Sequence, residues 1–262
     1  MKLLAILAMV LAGVVCLSAQ VPIINGVVSI DFNNFLGQGF SPTPTAGQLD
    51  SDDWEVTGLS DGNLVFGEIK TSGDFARGTS QGGITTGGIY AFEVSTGDYT
   101  LGVQPGTSDF TPGEFILRLI NNTGSTINQI NLQYDLYVMN DQPRSNYFNS
   151  LYSTDDATYT PLTELNYTSP AAADPSPIWQ KITRMATITG LNISDGAYFY
   201  IKWESDDVGG SGSRDEFALD NILLSPGDTP LPVSLLSFTA RSGPDGILLK
   251  WETASEMENA GF

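Results

Sequence analysis

The 262-residue sequence contains no histidine and one cysteine, Cys16. Without histidine there is no Ser-His-Asp or Cys-His nucleophile system and no His-based zinc site. No Ser-x-x-Lys spacing stands in for them. Basic residues are also scarce, 11 Lys and Arg against 30 Asp and Glu, for a formal charge of -19. A surface of that sign repels phosphate backbones, which excludes nucleic acid held on a broad basic face. Amphipathic helical periodicity of ten or more residues is missing after the first 19 positions. The catalytic option left is a carboxylate pair for glycoside hydrolysis, which needs two acids about 5 to 9.5 Å apart across a cleft. Acids are abundant here, and no spacing marks such a pair.

Long apolar runs are limited to one, residues 3–15 behind Lys2, followed by Cys16-Leu17-Ser18-Ala19-Gln20. This reads as a secretory signal peptide at 1–19 with a mature chain starting at Gln20. The run is shorter than the ~20 residues of a membrane-spanning helix, so no membrane association is expected after cleavage. A lipid on Cys16 is the alternative, but Val15 occupies the place where lipoprotein signals carry a small residue. Cleavage after Ala19 removes the cysteine, and stability must then come from the core and from any bound metal.

What is present is a turn-rich β pattern, with 28 Gly, 14 Pro and only 16% charged residues. Segment 130–138 is the clearest strand. Ile130, Leu132, Tyr134, Leu136 and Val138 alternate with Asn131, Gln133, Asp135 and Tyr137, which predicts a strand apolar inside and polar outside. Further strands are expected at 27–33, 54–58, 63–70, 89–94, 99–103, 115–120, 147–153, 179–189, 198–203 and 215–224, with loops at 35–50 and 73–88. The glycine-rich 73–88 lacks the Lys-Ser or Lys-Thr ending of a phosphate loop. About eleven short strands without a fixed repeat predict an all-β fold, an antiparallel two-sheet jelly-roll sandwich over 20–225. Pro226 to Pro232 reads as a linker. Segment 233–262 then supplies one hairpin, expected to be the start of a second domain truncated at Phe262.

Leu231-Pro232-Val233-Ser234-Leu235-Leu236-Ser237-Phe238-Thr239-Ala240 and Leu249-Lys250-Trp251-Glu252-Thr253 resemble the segment that opens a small fibronectin-like sandwich in cargo of the type IX secretion system. The resemblance implies that the type IX machinery exports the full-length parent. Residues 82–92, Thr111-Pro112-Gly113-Glu114-Phe115, Asn121-Asn122-Thr123-Gly124, Tyr152-Ser153-Thr154-Asp155 and 203–220 are similar to an N-terminal jelly-roll module of such secreted proteins. Relatives of that module usually carry Gly where Glu216 stands. The module brings an architecture and no enzyme activity.

The reading is therefore a secreted, noncatalytic binding or adhesive module with a glycan or cell-surface ligand; a structural spacer and, less favoured, a carboxylate glycoside hydrolase are the alternatives. Tyr137, Tyr147, Phe148 and Tyr152 gather around one loop in sequence and are the candidate sugar platform, weighed against core or strand-pair roles. Asp206, Asp207, Asp215, Glu216 and Asp220 crowd one loop and strand, and Asp31 on the first strand can face Asp220 on the last. These six are the candidate calcium ligands, since calcium takes six to eight hard oxygens. Similar β-sandwich binding modules often hold a structural calcium near such strands; a solvated acidic loop is the alternative.

Overall fold

The computed structural model describes residues 20–209, 212–227, 235–243 and 246–253. The signal peptide expected at 1–19, Cys16, most of the 226–232 linker and residues 254–262 lie outside the described residues.

Strands follow one another as β1 (Val21–Ile23), β2 (Val28–Ile30), β3 (Phe35–Ser41), β4 (Gly47–Asp50), β5 (Trp54–Leu59), β6 (Gly62–Leu64) and β7 (Thr79–Ser80). The middle of the chain gives β8 (Gly88–Ser95), β9 (Asp98–Gln104), β10 (Gly113–Asn121), β11 (Ile127–Met139), β12 (Tyr147–Ser153), β13 (Thr160–Pro161) and β14 (Tyr167–Thr168). Then come β15 (Gln180–Ile193), β16 (Tyr198–Ser205), β17 (Glu216–Pro226), β18 (Leu235–Gly243) and β19 (Gly246–Thr253).

Two sheets form an all-β sandwich. The first runs β13-β12-β16-β10-β5-β6, with β1 beside β10 and β14 beside β12; the second runs β15-β11-β17-β9-β8-β7, with β2 beside β17. Pairing is antiparallel except for β1 with β10, β3 with β4, and β7 with β8. β18 and β19 make a separate hairpin sheet.

Alternation fixes which side chains fill the core. On the first sheet Phe115, Leu117 and Leu119 lie opposite Trp203, Ile201 and Phe199, and all six are fully buried. On the second, Ile130, Leu132, Tyr134, Leu136 and Val138 point the same way and are buried as expected. Trp203 is the centre, with Trp54 stacked at 6.2 Å and Tyr134 edge-on at 5.5 Å. The Tyr134 hydroxyl meets Ser150 Oγ at 2.7 Å, so its polar end is not stranded. Each such large side chain contributes roughly 1.5–3 kcal/mol by burial.

One irregularity positions the site. Between Gln133 and Asp135 of β11 the partner strand β17 inserts an extra residue, and Asn221 adopts φ 48° there. The bulge shifts the parity of β17, so Phe217 and Leu219 before it and Ile222 and Leu224 after it all face the core. Asp220 is thereby left on the outer face, opposite Asp135.

Three expectations need correction. Segment 35–50 is not a loop but holds the parallel pair β3 and β4, because Phe35 and Phe40 both bury their rings, 6.2 Å apart. The strand expected over 63–70 is confined to Gly62–Leu64, with Val65 and Ile69 exposed. The outer residues of β11 are not solvated: Asn131, Gln133, Asp135 and Tyr137 are all buried.

Candidate functional site

Tyr137 is covered by a second, smaller apolar cluster on the outer face of the second sheet, made of Tyr90, Phe92, Tyr137 and Ala218 with Ile84, Val94 and Trp179 packed on it. Strand register explains it. Tyr90 lies opposite Gly102, Gly102 opposite Ala218, and Ala218 opposite Tyr137, so two small residues floor a trough between two tyrosines. A Cβ at Gly102 would collide with the Phe92 ring, which occupies that space. Trp179 reaches over from the loop before β15, its ring 4.9 Å from that of Phe92 and tilted by 50°. Its indole N–H donates to the Gln81 carbonyl at 2.9 Å, joining it to the glycine-rich loop. Gly82 has φ 90° and lies against Met139 and Trp179 with no room for a side chain.

Beside the indole opens a cleft of about 580 Å³ lined by Gln81, Glu93, Val94, Ser95, Met139 and Trp179 among others. Trp179 is half-buried and Ile178, next to it, is exposed. On the same sheet face Asp135 accepts from Lys181 Nζ at 3.2 Å, Thr183 Oγ1 at 2.6 Å and Asn221 Nδ2 at 3.1 Å. Such a face offers an aromatic surface next to fixed polar groups.

Titratable groups here are displaced in one direction. Burial pushes the Asp220 carboxyl up to about 7, with Asp98, Asp135 and Asp31 adding repulsion. Burial raises Glu216 to about 8, helped by Asp141, whose carboxyl lies within hydrogen-bond reach of it. Glu216 Oε1 accepts from the Ile84 N–H at 2.9 Å, which pins the glycine-rich loop to β17. The Tyr137 hydroxyl is likewise raised, by burial and then by Asp98, Asp135 and Asp220.

The four aromatic residues expected to form one platform are divided. Only Tyr137 belongs to this face. Tyr147 sits on the outer side of β12 in the first sheet, its N–H donating to the Asp206 carbonyl. Phe148 and Tyr152 take the opposite parity and turn inward. Phe148 is fully buried, 5.0 Å from Phe217, and Tyr152 packs on Phe199 at 6.1 Å. Phe148 has no face left for a sugar, whereas Tyr152 is half-buried and lines a separate cleft of about 440 Å³ with Ser153, Asp155 and Thr158.

The six acids are divided as well, and among the described residues no three Asp or Glu converge as ion ligands. Asp31 and Asp220 do approach across β2 and β17, where Ile30 faces Ile222. Asp215 and Glu216 are consecutive on an extended chain and point to opposite sides. Asp215 Oδ1 accepts from the Gln142 N–H at 3.0 Å and anchors the loop after β11. Asp207 is taken by buried Arg214, Nη2 to Oδ2 2.8 Å, and Asp206 accepts from the Asp207 N–H.

Trp179, Phe92 and Tyr90 escaped sequence reasoning. Tyr90 and Phe92 share a parity within β8 opposite to that of buried Ile89 and Ala91, and that outward pair of rings was the available signal. Trp179 carried no local signal, since its partner lies 87 positions away.

No protein-family model matches the chain, and no curated protein matches it. Solved structures are distantly similar. The N-terminal cellulose-binding domain of Cellulomonas fimi β-1,4-glucanase C is 15% identical over 70% of this chain and 94% of that one, with a TM-score of 0.33. The CBM22-1 xylan-binding domain of Paenibacillus barcinonensis gives 7% identity, 78% and 96% coverage and a TM-score of 0.35. The K3 cleaved adhesin domain of Lys-gingipain from Porphyromonas gingivalis gives 12%, 76%, 98% and 0.36.

Proposed function

We propose that this chain is a secreted, noncatalytic binding module that takes carbohydrate in the cleft beside Trp179, on the outer face of the second sheet. The observation that carries the reading is the half-buried Trp179 ring at the edge of a cleft of about 580 Å³, on a sheet face that also holds Tyr137, Asp135, Thr183 and Lys181. A pyranose has an apolar C–H face and a rim of hydroxyls, and a ring flanked by fixed donors and acceptors matches both. The acids beside it are occupied in holding the sheet: Asp135 has three donors and Glu216 a backbone N–H. Export through the type IX machinery suits such a module, as the resemblance of 231–253 implies.

The test is a glycan array followed by titration calorimetry on the whole chain. Trp179→Ala should weaken binding by about 2 kcal/mol, some thirtyfold, as removal of a central aromatic anchor does. Tyr147→Ala should leave it unchanged. Loss on Tyr147→Ala with Trp179→Ala silent would move the site to the first sheet. No binding across plant, algal and mucosal glycans would leave the chain as a spacer.

A further inference from the structure

We propose that the Trp179 cleft takes only glycans without negative charge, and that Glu93 and Asp98, on the turn between β8 and β9, impose that choice. The inference rests on the carbohydrate reading above and names the class of sugar.

Recognition of a uronate or a sulfate needs a cation free to pair with it. The described sandwich has eight Lys and Arg, and each is already committed. Lys70 lies over the Phe75 ring, and Arg77 pairs with Asp74. Arg118 is held between Phe66 and Tyr198, at 4.1 and 5.0 Å, while donating to the Asp52 carbonyl. Arg144 donates to the Ser213 carbonyl and Arg184 to that of Asn166. Lys202 pairs with Glu114 and Arg214 with Asp207. Near the cleft there is only Lys181, bound to Asp135 at 3.2 Å.

The cleft side is the reverse. Glu93 lines it directly. Asp98 closes the same turn, opposite Ser95 and 3.2 Å from Ser95 Oγ. Asp135 and Asp220 lie further along the sheet face. The side chains that remain for a ligand are Gln81, Ser95 and Thr96, which bind hydroxyls and amides without a charge requirement. An anionic sugar placed on Trp179 would meet like charge from Glu93 and Asp98, with the nearest cation, Lys181, already paired with Asp135, whereas a neutral one meets the same groups as hydrogen-bond acceptors.

The assay is affinity electrophoresis of the full chain in gels containing a neutral β-glucan, xylan, polygalacturonate or a sulfated galactan. At low ionic strength, about 0.01 M, where charges act over ~30 Å, retardation is expected on a neutral polymer and on neither anionic one. Glu93→Gln with Asp98→Asn should raise the ratio of anionic to neutral affinity about fivefold, the scale of two exposed charge contacts. Retardation by an anionic polymer as strong as by the neutral ones overturns the selectivity alone. An anionic-to-neutral ratio unmoved by the double substitution overturns the role of Glu93 and Asp98. Retardation by no polymer overturns the carbohydrate reading together with this one.

Discussion

Replacing Glu216 by glutamine should change how stability depends on pH, with little effect at acid pH. Glu216 is fully buried on the outer face of β17, accepts from the Ile84 N–H, and has Asp141 within reach. Burial, with Asp141 as a further cause, lifts its carboxyl from the ordinary 4.5 to about 8. A raised acid makes the folded state hold a proton that the unfolded chain releases. Stability is therefore greatest below about 4.5, falls as pH rises from there to about 8, and is level above, for this group taken alone. The interval between those two values, at about 1.4 kcal/mol per pH unit, sets a ceiling of about 5 kcal/mol. Relaxation and water entry around the ionised pair will reduce what is realised. Glutamine keeps an acceptor for Ile84 and offers an N–H to Asp141, so it imitates the protonated acid at every pH. Urea midpoints of the two proteins should agree near pH 5 and separate by pH 8.5, with Glu216→Gln the more stable there by a few kcal/mol. Parallel midpoint curves from pH 5 to 8.5 would refute the burial of an ionisable Glu216 against Asp141.

Asp53, Asp215 and Asp220 are raised in the same direction, chiefly by burial, to about 7, 6 and 7. The unmodified protein should accordingly melt higher at pH 5.5 than at pH 8.5, and a thermal scan showing the opposite order would contradict all four assignments together. Phe148→Ala should cost about 3–5 kcal/mol in urea unfolding, as a buried aromatic ring does, while Tyr147→Ala should cost under about 1 kcal/mol. The dispersal of Asp31, Asp206, Asp207, Asp215, Glu216 and Asp220 predicts a melting midpoint indifferent to calcium. An ion at ~100 times its dissociation constant would add about 2.7 kcal/mol, so a rise of several degrees over chelator would show that one gathers them.

How much of this could be read from residues alone depended on the range of the interaction. The inward row of β11 was legible because Ile130 to Val138 obeys a period of two that nothing overrides. The neighbourhood of Asp31 and Asp220 was legible because a jelly roll brings its first and last strands together. Phe148 and Tyr147 were not separable in the same way: strand 147–153 has aromatic residues on both parities, and a shift of one residue exchanges the faces. The burial of Asp135 was invisible, since it depends on Lys181 and Thr183 of β15 and Asn221 of β17 closing around its carboxylate from the neighbouring strands. Alternation says which side of a strand faces the core but not what else comes to cover the other side. The acids misled for a related reason. Proximity along 206–220 suggested one cluster, whereas β17 is extended and the chain before it turns, so neighbours in sequence are assigned to separate places.

The position of β17 also governs when the molecule can form. It is the last strand of the sandwich in the chain, yet it lies inside the second sheet, between β9 and β11, with β2 against it as well. Until residue 226 has emerged from the ribosome, β9 and β11 each keep an open edge. At ~5–20 residues per second that wait lasts on the order of seconds after β11 is complete. The same delay exposes two strand edges to other chains, so the sequence needs its strong negative charge, or a chaperone, to keep nascent copies apart.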